Sequence, residues 1–535
     1  FFFKQKTAYE IRNCDWSSDV CSSDLGLVRL WSRMLVFGVG RQVEADLKQR
    51  IFDHLLRQEP DWVQRTGSGE VISRATSDVE NVRRLLGFAV LSLTNTALAY
   101  ALTLPAMLAI DPLLTLVAVG LYPLMLLVVR LFGGRMMKQQ RRQQEALAKL
   151  SDLIQEDLSG VGAIKIYGQE AMEQEAFDGL NRLYRDAALK LGRTRSTLFP
   201  LLEGIASISL LLLLAIGSGQ LESGRLSIGD LVALILYVER LVFPTALLGF
   251  TLNSFQTGQV SLDRIEALLE RQSLVVSPPR PSPPAEPALG VLEARGLTVG
   301  YPGTERPTLD GLSFRINAGE LVAVVGPVGC GKTTLARAIG RMLVVEQGQL
   351  FLDGVDITRL SLGDLRRQVA LVPQEGFLFT ATLADNLRYG EPDASMERVE
   401  EAARQARLEA DVRGFPDGYA TLVGERGITL SGGQRQRTAL GRALIGDAPL
   451  LVLDDALASV DNSTAAGILA SVRQQRNRTV LMISHQLSAA AACDRILVLE
   501  EGRLVQEGHH RELLAGPGPY RRLWEREEAE RLQAA

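Results

Sequence analysis

Residues 321–343 read LVAVVGPVGCGKTTLARAIGRML, and this stretch decides the fold of the C-terminal half of the chain. A short apolar run, typical of a buried parallel strand, is followed by a glycine-rich loop and then by a helical pattern. The spacing GxxxxGK[ST] between a strand and a helix is that of a phosphate loop. Its glycines let backbone N–H groups face phosphate oxygens, and the helix N-terminus adds a positive dipole end. The sequence therefore predicts an α/β P-loop NTPase domain.

The polar side chains of this loop are expected to hold ATP and Mg²⁺. Lys332 is expected to reach the β- and γ-phosphates, and Thr333 to ligate Mg²⁺. Cys330 most simply fills a loop position, although its thiol lies close to Lys332 and a helix N-terminus, which favour reactivity. The predicted ATP-binding residues of the loop are Gly326, Gly329, Cys330, Gly331, Lys332, Thr333 and Thr334.

Two further strand-like runs follow, Leu450 to Leu453 and Thr479 to Ile483. The first ends in Asp454-Asp455, and a carboxylate at the carboxyl end of a parallel strand is suited to hold Mg²⁺. The alternative is an aspartate that only caps the next helix. Between the phosphate loop and this strand, residues 430–434 read LSGGQ before a helical pattern. Ser431 fits an N-cap, and the glycines leave the helix start open to an anion, although an isolated pentapeptide of this kind is also an ordinary glycine turn.

Four long apolar stretches precede the nucleotide-binding pattern. The first, residues 85–110, carries no charge and would be about 39 Å long as a helix, enough to cross a hydrocarbon core of about 30 Å. The other three cover about 113–130, 198–221 and 226–255, and tight turns separate the members of each pair. The predicted fold class is therefore multi-domain, an all-α polytopic membrane bundle followed by an α/β P-loop NTPase domain.

Charge placement predicts the orientation of the bundle. Twelve Lys and Arg lie between Arg130 and Arg195, whereas the two tight turns contain only Arg225. By the positive-inside tendency the long charged stretch is cytoplasmic. We expect residues 131–197 to form two membrane helices that extend into the cytoplasm and join near Ser159-Gly160. The prediction is a multi-pass protein of the cell (cytoplasmic or inner) membrane with its ATPase domain in the cytoplasm.

The remaining segments set the domain boundaries. Residues 1–25 look like a translated sequencing-adapter artefact, the alternative being a soluble extension, and they are excluded from the fold. The transmembrane domain is assigned to 26–270, with a missing beginning because the apolar run 28–40 is short for a span. A stiff proline-rich linker covers 271–290, the ATP-binding domain covers 291–520, and a charged, frayed helical tail covers 521–535.

Composition excludes several classes. A net charge of −4 and a pI near 5.9 argue against a nucleic-acid partner, which needs a basic face. The four cysteines have no paired spacing, which favours a reducing compartment and predicts no zinc site. Glu203, Glu239 and Arg240 lie within apolar spans, where a charge is a functional hypothesis by default: they face the translocation path, pair across helices or face a partner subunit.

Residues 430–434 are similar to the signature sequence of ABC ATPases, and other motifs resemble that family in the same order. Gln374 is similar to the Q-loop glutamine, residues 458–461 to the D-loop, and His485 to the switch histidine. The segment 424–427 resembles the X-loop of exporters, and 70–86 and 153–170 look like the two cytoplasmic coupling regions of type IV exporters.

The resemblance implies roles for these residues. Predicted ATP-binding residues outside the phosphate loop are Tyr301 (stacking on adenine), Ser431, Gly432, Gly433, Gln434 and Asp461. Predicted Mg²⁺ ligands are Thr333, Gln374 and Asp454. Predicted catalytic residues are Asp455, His485 and Gln374, the last sensing Mg²⁺ and the membrane domain.

One position departs from the family pattern. Fully active members carry Glu where this chain has Asp455, and a carboxylate one methylene shorter is poorly placed to position the attacking water. In similar paired half-exporters such a change marks a degenerate site, which favours a heterodimer with a second ABC half-exporter. An ordinary working base in a homodimer is the alternative.

The resemblance implies ATP-driven export of a hydrophobic or amphipathic substrate, a drug, lipid or peptide, as one half of a dimeric ABC exporter. An ATP-binding regulatory or channel-like ABC subunit with little hydrolysis is the alternative. A soluble ABC ATPase of chromosome maintenance is disfavoured by the four spans, and an importer by the presence of spans and ATPase in one polypeptide.

Overall fold

The computed structural model describes residues 19–424, 427–474 and 478–534, and they form two compact units. The first unit, residues 19–56 and 66–271, is helical. The second, residues 57–65 and 272–534, contains two β-sheets and the helices around them. Most of the sequence predicted to be an artefact, residues 1–18, lies outside the described residues, and residue 19 begins a helix.

Four continuous helical stretches in the first unit are long and apolar enough to cross a membrane: Ser68–Ile110, Pro112–Tyr167, Glu170–Glu222 and Ile228–Leu269. They contain the four predicted spans, so the predicted helical bundle is confirmed. Two π-helical segments, Arg74–Asp78 and Leu85–Ala89, interrupt the first stretch. The α-helices are α1 (Asp19–Leu55), α2 (Pro60–Thr66), α3 (Ser68–Ser73), α4 (Val79–Arg84), α5 (Val90–Ile110), α6 (Pro112–Val119), α7 (Tyr122–Tyr167), α8 (Glu170–Glu222) and α9 (Ile228–Leu269).

The second span is not one regular helix, as predicted, but two helices that meet at Gly120-Leu121. Pro123, in the first turn of α7, has no N–H to donate to the carbonyl four residues earlier, so the hydrogen-bond ladder is interrupted there. The Ser209 hydroxyl of α8 donates to the Ala118 carbonyl at 2.8 Å and holds the interrupted segment against its neighbour.

The predicted joint between the two long cytoplasmic extensions was wrong. Helix α7 continues through Ser159-Gly160 and ends at Tyr167, followed by Gly168 with φ 62° and ψ 37°. This left-handed conformation, which glycine adopts without strain, stops the helix and reverses the chain into α8. A glycine inside a continuous helical pattern is a weaker stop signal than one that takes up a left-handed cap.

The N-terminal part of the chain also contributes to the second unit. The predicted coupling segment 70–86 lies in the first unit, whereas residues 57–65 belong to the second. There the Glu59 carboxylate accepts a hydrogen bond from the Ser273 hydroxyl at 2.9 Å, and the Arg65 guanidinium donates to the Pro302 carbonyl at 2.9 Å. Segment 153–170 lies in α7 and its C-terminal turn.

The second unit has the predicted α/β organisation. Its main sheet has the order β10-β9-β3-β8-β7-β6, with β10 antiparallel at one edge and the other strands parallel, and an antiparallel sheet has the order β2-β1-β4-β5. The strands are β1 (Leu292–Val299), β2 (Leu309–Ile316), β3 (Leu321–Val325), β4 (Leu350–Leu352), β5 (Val355–Asp356), β6 (Val369–Val372), β7 (Leu450–Asp454), β8 (Thr479–Ile483), β9 (Arg495–Glu500) and β10 (Arg503–Gly508).

The central strands β3, β7 and β8 are buried along their whole length, as their uninterrupted apolar sequences predict. Alternate side chains enter two different cores, Val322 and Val324 on one face of the sheet and Ala323 and Val325 on the other. The helices of this unit are α10 (Lys332–Ile339), α11 (Leu362–Gln368), α12 (Leu383–Arg388), α13 (Met396–Gln405), α14 (Glu409–Gly414), α15 (Gly432–Leu444), α16 (Asn462–Gln474), α17 (Leu487–Ala490), α18 (His510–Ala515) and α19 (Pro519–Ala534).

The proline-rich segment is not a free linker. The Ser282 N–H donates to the Arg359 carbonyl at 2.8 Å, and the Arg341 guanidinium donates to the Val276 carbonyl at 3.1 Å. These bonds attach the segment to the second unit over much of its length. Local composition indicates an extended backbone but does not reveal what that backbone contacts.

The predicted domain boundary at residue 520 falls inside helix α19, which begins at Pro519. Tyr520 is fully buried, and its hydroxyl lies 2.7 Å from Nδ1 of His510. The Glu527 carboxylate accepts a hydrogen bond from the Leu487 N–H at 2.8 Å. The helix from Pro519 to Glu527 therefore packs on the second unit.

We predict that Tyr520→Ala destabilises the second unit by about 3 kcal/mol, since it removes a buried aromatic ring and leaves a cavity. Unfolding of the full chain in detergent, followed by the fluorescence of the adjacent Trp524, measures this loss. Arg521→Ala removes only an exposed pair with Glu525 and should cost less than about 0.5 kcal/mol. Equal stability of the two variants would show that the helix does not stabilise the domain.

Candidate nucleotide-binding site

The loop after β3 has the backbone that a phosphate-binding loop requires. Gly326 has φ +156° and Gly331 has φ +103°. A Cβ on Gly326 would stand 2.1 Å from the Leu499 carbonyl oxygen, and one on Gly331 would stand 2.7 Å from a Leu309 methyl group. Only glycine fits at either position, and the loop passes directly into α10.

Lys332 is folded back over this loop. Its ammonium group donates to the carbonyls of Gly326 at 2.8 Å and Pro327 at 2.9 Å, and it lies 3.7 Å from the Cys330 sulfur. Burial raises the pKa of the Cys330 thiol, and the nearby lysine only partly offsets that effect. The cysteine is therefore a loop-filling residue with a protonated thiol, in agreement with the simpler interpretation of the sequence.

The predicted magnesium residues of the loop and of β7 lie side by side. The Thr333 hydroxyl donates to Oδ1 of Asp454 at 3.2 Å. Burial raises the pKa of Asp454, the Thr333 hydrogen bond opposes that rise, and the charge of Asp455 adds to it. A carboxylate and a hydroxyl of this kind suit Mg²⁺, which commonly keeps most of its ligands as water and substrate phosphate oxygens.

Asp455 occupies a constrained turn at the end of β7. Its φ of +49° is in the left-handed region, and its N–H donates to the Ile483 carbonyl at 2.9 Å. The Asp455 carboxylate accepts a long hydrogen bond, 3.4 Å, from the backbone N–H of His485. The short side chain of this predicted catalytic carboxylate thus stays close to the backbone of the predicted switch histidine.

His485 follows β8 directly. Partial desolvation lowers the pKa of its ring, the nearby charge of Lys332 lowers it further, and Asp455 acts in the opposite direction. The lowered pKa favours the neutral imidazole, in which one ring nitrogen donates a hydrogen bond and the other accepts one.

Gln374 and Tyr301 come from two other parts of the domain. Gln374 follows β6, whose last residue Val372 pairs with Leu453 of β7, and its side chain is exposed. The Tyr301 ring packs against the core, with its hydroxyl 3.3 Å from the Thr334 hydroxyl. The structure therefore places Tyr301 beside the first turn of α10, and Gln374 after the strand next to β7.

Ser431 begins α15 with a reciprocal capping box. Its hydroxyl accepts from the Gln434 N–H at 3.2 Å, and Oε1 of Gln434 accepts from the Ser431 N–H at 2.9 Å. The Gln434 amide also donates to Asp411 at 3.0 Å. The Gln434 side chain, predicted to bind ATP, is therefore engaged within its own chain, whereas Ser431 is exposed and the two glycines are half-buried.

The predicted D-loop packs on the signature helix. The Ser459 N–H donates to Oε1 of Gln436 at 2.8 Å. Asp461 caps α16: its carboxylate accepts from the Ser463 hydroxyl at 2.5 Å and from the Thr464 N–H at 2.9 Å, and these hydrogen bonds lower the pKa of its carboxyl. Asp461 thus has a structural role in addition to the predicted one. Glu425 and Arg426 of the predicted X-loop lie outside the described residues.

Sequence reasoning missed three residues that position the signature helix. Asp411 accepts from Gln434 and, at 2.7 Å, from the Arg437 guanidinium, and Gln436 joins the helix to the D-loop. Arg437 and Gln436 face their partners at helical spacing after the signature, but Asp411 belongs to α14 and no local pattern connects it with them. These residues orient the exposed helix start.

The residues present fit magnesium ATP. The loop offers a glycine-lined backbone whose space a side chain would fill, a lysine that donates to the loop's own backbone carbonyls, and the Thr333–Asp454 pair. Among the described residues no group of three His, Cys, Asp or Glu side chains could hold a metal ion, so the site lacks an all-protein cage, as expected for magnesium bound with a nucleotide.

Family models match both halves of the chain. The model for the ABC transporter transmembrane region matches residues 26–245, and the model for the ABC transporter, which describes the ATP-binding part, matches residues 309–458. The two matches fall on the helical unit and on the sheet-containing unit, respectively.

Relatives extend over nearly the whole chain. The probable multidrug resistance ABC transporter ATP-binding/permease protein YheI of Bacillus subtilis (strain 168) is 32% identical over 500 residues, covering 93% of this chain and 85% of that protein. The ATP-dependent lipid A-core flippase of Dechloromonas aromatica (strain RCB) is 32% identical with the same coverage. A solved structure, a bacterial Atm1-family ABC exporter with ATP bound, has a TM-score of 0.76 at 28% identity and covers 94% of this chain and 88% of that one.

The apolar helices and the phosphate loop thus lie in the two regions that the family models match, and the chain belongs to the exporter-like ABC transporters with fused transmembrane and ATP-binding domains.

Proposed function

We propose that this chain is one half of a dimeric ABC exporter that uses ATP hydrolysis to move a hydrophobic or amphipathic substrate across the inner membrane, with its ATPase domain in the cytoplasm. The observation that carries the proposal is the adjacency of Lys332, Thr333 and Asp454 in a domain fused to four apolar helices. Relatives with multidrug and lipid A flippase names, and a neighbour that binds ATP, support it.

In this proposal each site residue has a distinct task. Lys332 leaves its backbone carbonyls to contact the β- and γ-phosphates, and Thr333 and Asp454 hold Mg²⁺ together with Gln374. Tyr301 supports the adenine. His485 contacts the γ-phosphate, and its neutral ring donates one hydrogen bond there.

The second half of the site comes from another subunit. In this chain Ser431 is exposed at a helix start, and the half-buried Gly432 and Gly433 follow it, so this segment suits the phosphates bound to an opposing phosphate loop. Closure of two such domains around ATP would bias the membrane helices between inward- and outward-facing states, a population shift driven by the nucleotide.

The partner is a different half-exporter. The Asp455 carboxylate is one methylene shorter than the usual glutamate and accepts a hydrogen bond from the backbone of His485. This chain then binds ATP at a slow site and contributes its signature segment to the partner's faster site. The alternative, a regulatory or channel-like subunit, is consistent with the same Asp455.

Reconstitution separates export from regulation. Proteoliposomes that contain this chain and its co-encoded partner should accumulate the dye Hoechst 33342 when ATP is added, and Lys332→Ala in this chain should reduce the rate because its own site no longer binds nucleotide. ATP binding without ATP-dependent accumulation of the dye or of a fluorescent phospholipid would favour the regulatory subunit.

The length of the side chain at position 455 determines hydrolysis by the chain alone. We predict that Asp455→Glu raises the ATPase rate of the purified chain at least about tenfold, because a displacement near 1 Å can change a rate by about 10²-fold. Asp455→Asn should leave the slow native rate almost unchanged, and Lys332→Ala sets the background. A native chain that already hydrolyses ATP as fast as the Asp455→Glu variant would instead indicate a working homodimer.

Gly432 provides a test of the shared site. A Cβ at this position meets only Ser459 atoms at 3.8 Å, and a carboxylate in the first turn of a helix is stabilising, so Gly432→Asp should fold normally and bind ATP normally as a single chain. In the complex with the partner its charge would face the ATP phosphates, and hydrolysis should fall more than about tenfold.

Gly432→Ser is the matched uncharged control, expected to cause a smaller loss. Gly433→Ala differs from both, because its Cβ would stand 2.9 Å from the Ser459 carbonyl oxygen and strain the chain itself. Undiminished hydrolysis by the Gly432→Asp complex would rule out contribution of this signature segment to a partner's site.

A further inference from the structure

The helical unit contains a cavity of about 740 Å³ between the start of the first span and helices α7, α8 and α9. This volume falls within the range of sites that enclose one drug-sized molecule. The walls are mainly apolar and include the rings of Phe88, Phe199, Phe243 and Phe250. The cavity therefore combines the size and the aromatic lining of a small-molecule site.

Three charged side chains also line this cavity: Arg195 and Glu203 of α8 and Glu239 of α9. All three are exposed to it, and none of them forms an ion pair within 4.0 Å in the part of the chain that the structure describes. Arg240, which was singled out with the two glutamates, is not part of the lining. The lining therefore has two carboxylates and one guanidinium.

The positions of the three charges along the helices differ. Arg195 precedes the apolar run that begins at Leu198, so it lies at the cytoplasmic end of the span, whereas both carboxylates lie inside apolar runs. Eight residues separate Arg195 from Glu203, about 12 Å along a helix. The basic side chain is therefore at the mouth of the cavity, and the wall beyond it has negative charge only.

A carboxylate within a membrane-spanning helix is costly unless a counter-charge, water or a ligand accompanies it. Two such carboxylates among phenylalanine rings attract a cation by two interactions. One is the Coulomb attraction of the carboxylate charges, and the other is the cation–π interaction with the electron-rich ring faces. The same groups repel an anion. Uncharged apolar molecules would gain nothing from the glutamates.

We propose that this cavity binds organic cations with aromatic or other bulky apolar groups, and that Glu203 and Glu239 recognise their positive charge. This inference rests on the proposed function in one respect: if the chain is an exporter, the cavity selects the substrate that is exported. Binding itself can be measured without transport, so the two proposals can fail separately.

The test uses two probes of almost the same shape and opposite charge, tetraphenylphosphonium and tetraphenylborate. Their equilibrium binding to the purified full chain in nanodiscs of zwitterionic lipid is measured without nucleotide. We expect saturable binding of the phosphonium, weakened about tenfold by Glu203→Gln or Glu239→Gln and more by both together. After subtraction of partition into empty nanodiscs, which the membrane dipole potential makes larger for the borate, protein-dependent binding of the borate should be weak and should not decrease in these variants.

Two controls separate charge from folding. Glu203→Asp and Glu239→Asp keep the charge and should retain most of the phosphonium affinity. Glu222→Gln removes a carboxylate at the outer end of α8 that does not line the cavity, and it should have no effect. Partition of the probe into lipid is the same in every sample and does not depend on the substitutions.

The proposal is overturned if the native chain binds both ions equally, if the Gln variants bind the phosphonium as tightly as the native chain does, or if Glu222→Gln weakens binding to the same extent. ATP-dependent export of an uncharged dye, together with phosphonium binding that the Gln substitutions do not weaken, would leave the exporter function intact while refuting cation recognition. Phosphonium binding that depends on the carboxylates, in a protein that exports nothing, would support cation recognition while refuting the exporter function.

Discussion

The parallel register of β3, β8 and β7 is the constraint on which the nucleotide site depends. Val324 pairs with Ile483, and Ile483 pairs with Asp454, so the residues that follow these strands emerge at one edge of the sheet. A slip of one residue would displace a strand by about 3.3 Å, enough to separate the Thr333 hydroxyl from the Asp454 carboxylate. Because alternate side chains of these strands enter two different cores, burial on both faces holds the register.

Burial also sets the chemistry at that edge. It raises the pKa values of Asp454 and Cys330 and lowers that of His485. All three shifts disfavour the charged form, whereas the ammonium group of Lys332 is held by backbone carbonyls of the loop. A cation bound beside Asp454 would favour the ionised form of its carboxyl.

Different forces hold the membrane helices together. Lipid gives no hydrophobic drive for association, so close packing and hydrogen bonds between helices matter more. The Tyr100 and Thr245 hydroxyls are 2.5 Å apart between α5 and α9, and a Cβ on Gly249 would stand 2.2 Å from a Val129 methyl group. Such contacts leave the wide part of the bundle to the aromatic and carboxylate side chains of the cavity.

The parts of this protein that depend on neighbours in sequence were predictable from sequence. The three buried strands, the glycine loop before Lys332, the cap at Ser431 and the four apolar spans each have a pattern within a few turns or strand residues, because local backbone preference and burial act over that range. The placement of Asp454 next to Thr333 followed from the rule that ligands bind at the carboxyl ends of parallel strands.

The tertiary structure decided what no local pattern contains. It engaged Gln434 with Asp411, held Asp455 against the backbone of His485, docked Tyr520 in the core, and brought Glu203 and Glu239 to one cavity. The turn between the long helices lies at Gly168 and not at the predicted Ser159-Gly160. Most of these features depend on contacts between side chains that are distant in sequence. The turn at Gly168 depends on a backbone conformation that several glycines in the region could adopt, and packing of the folded chain selects one of them.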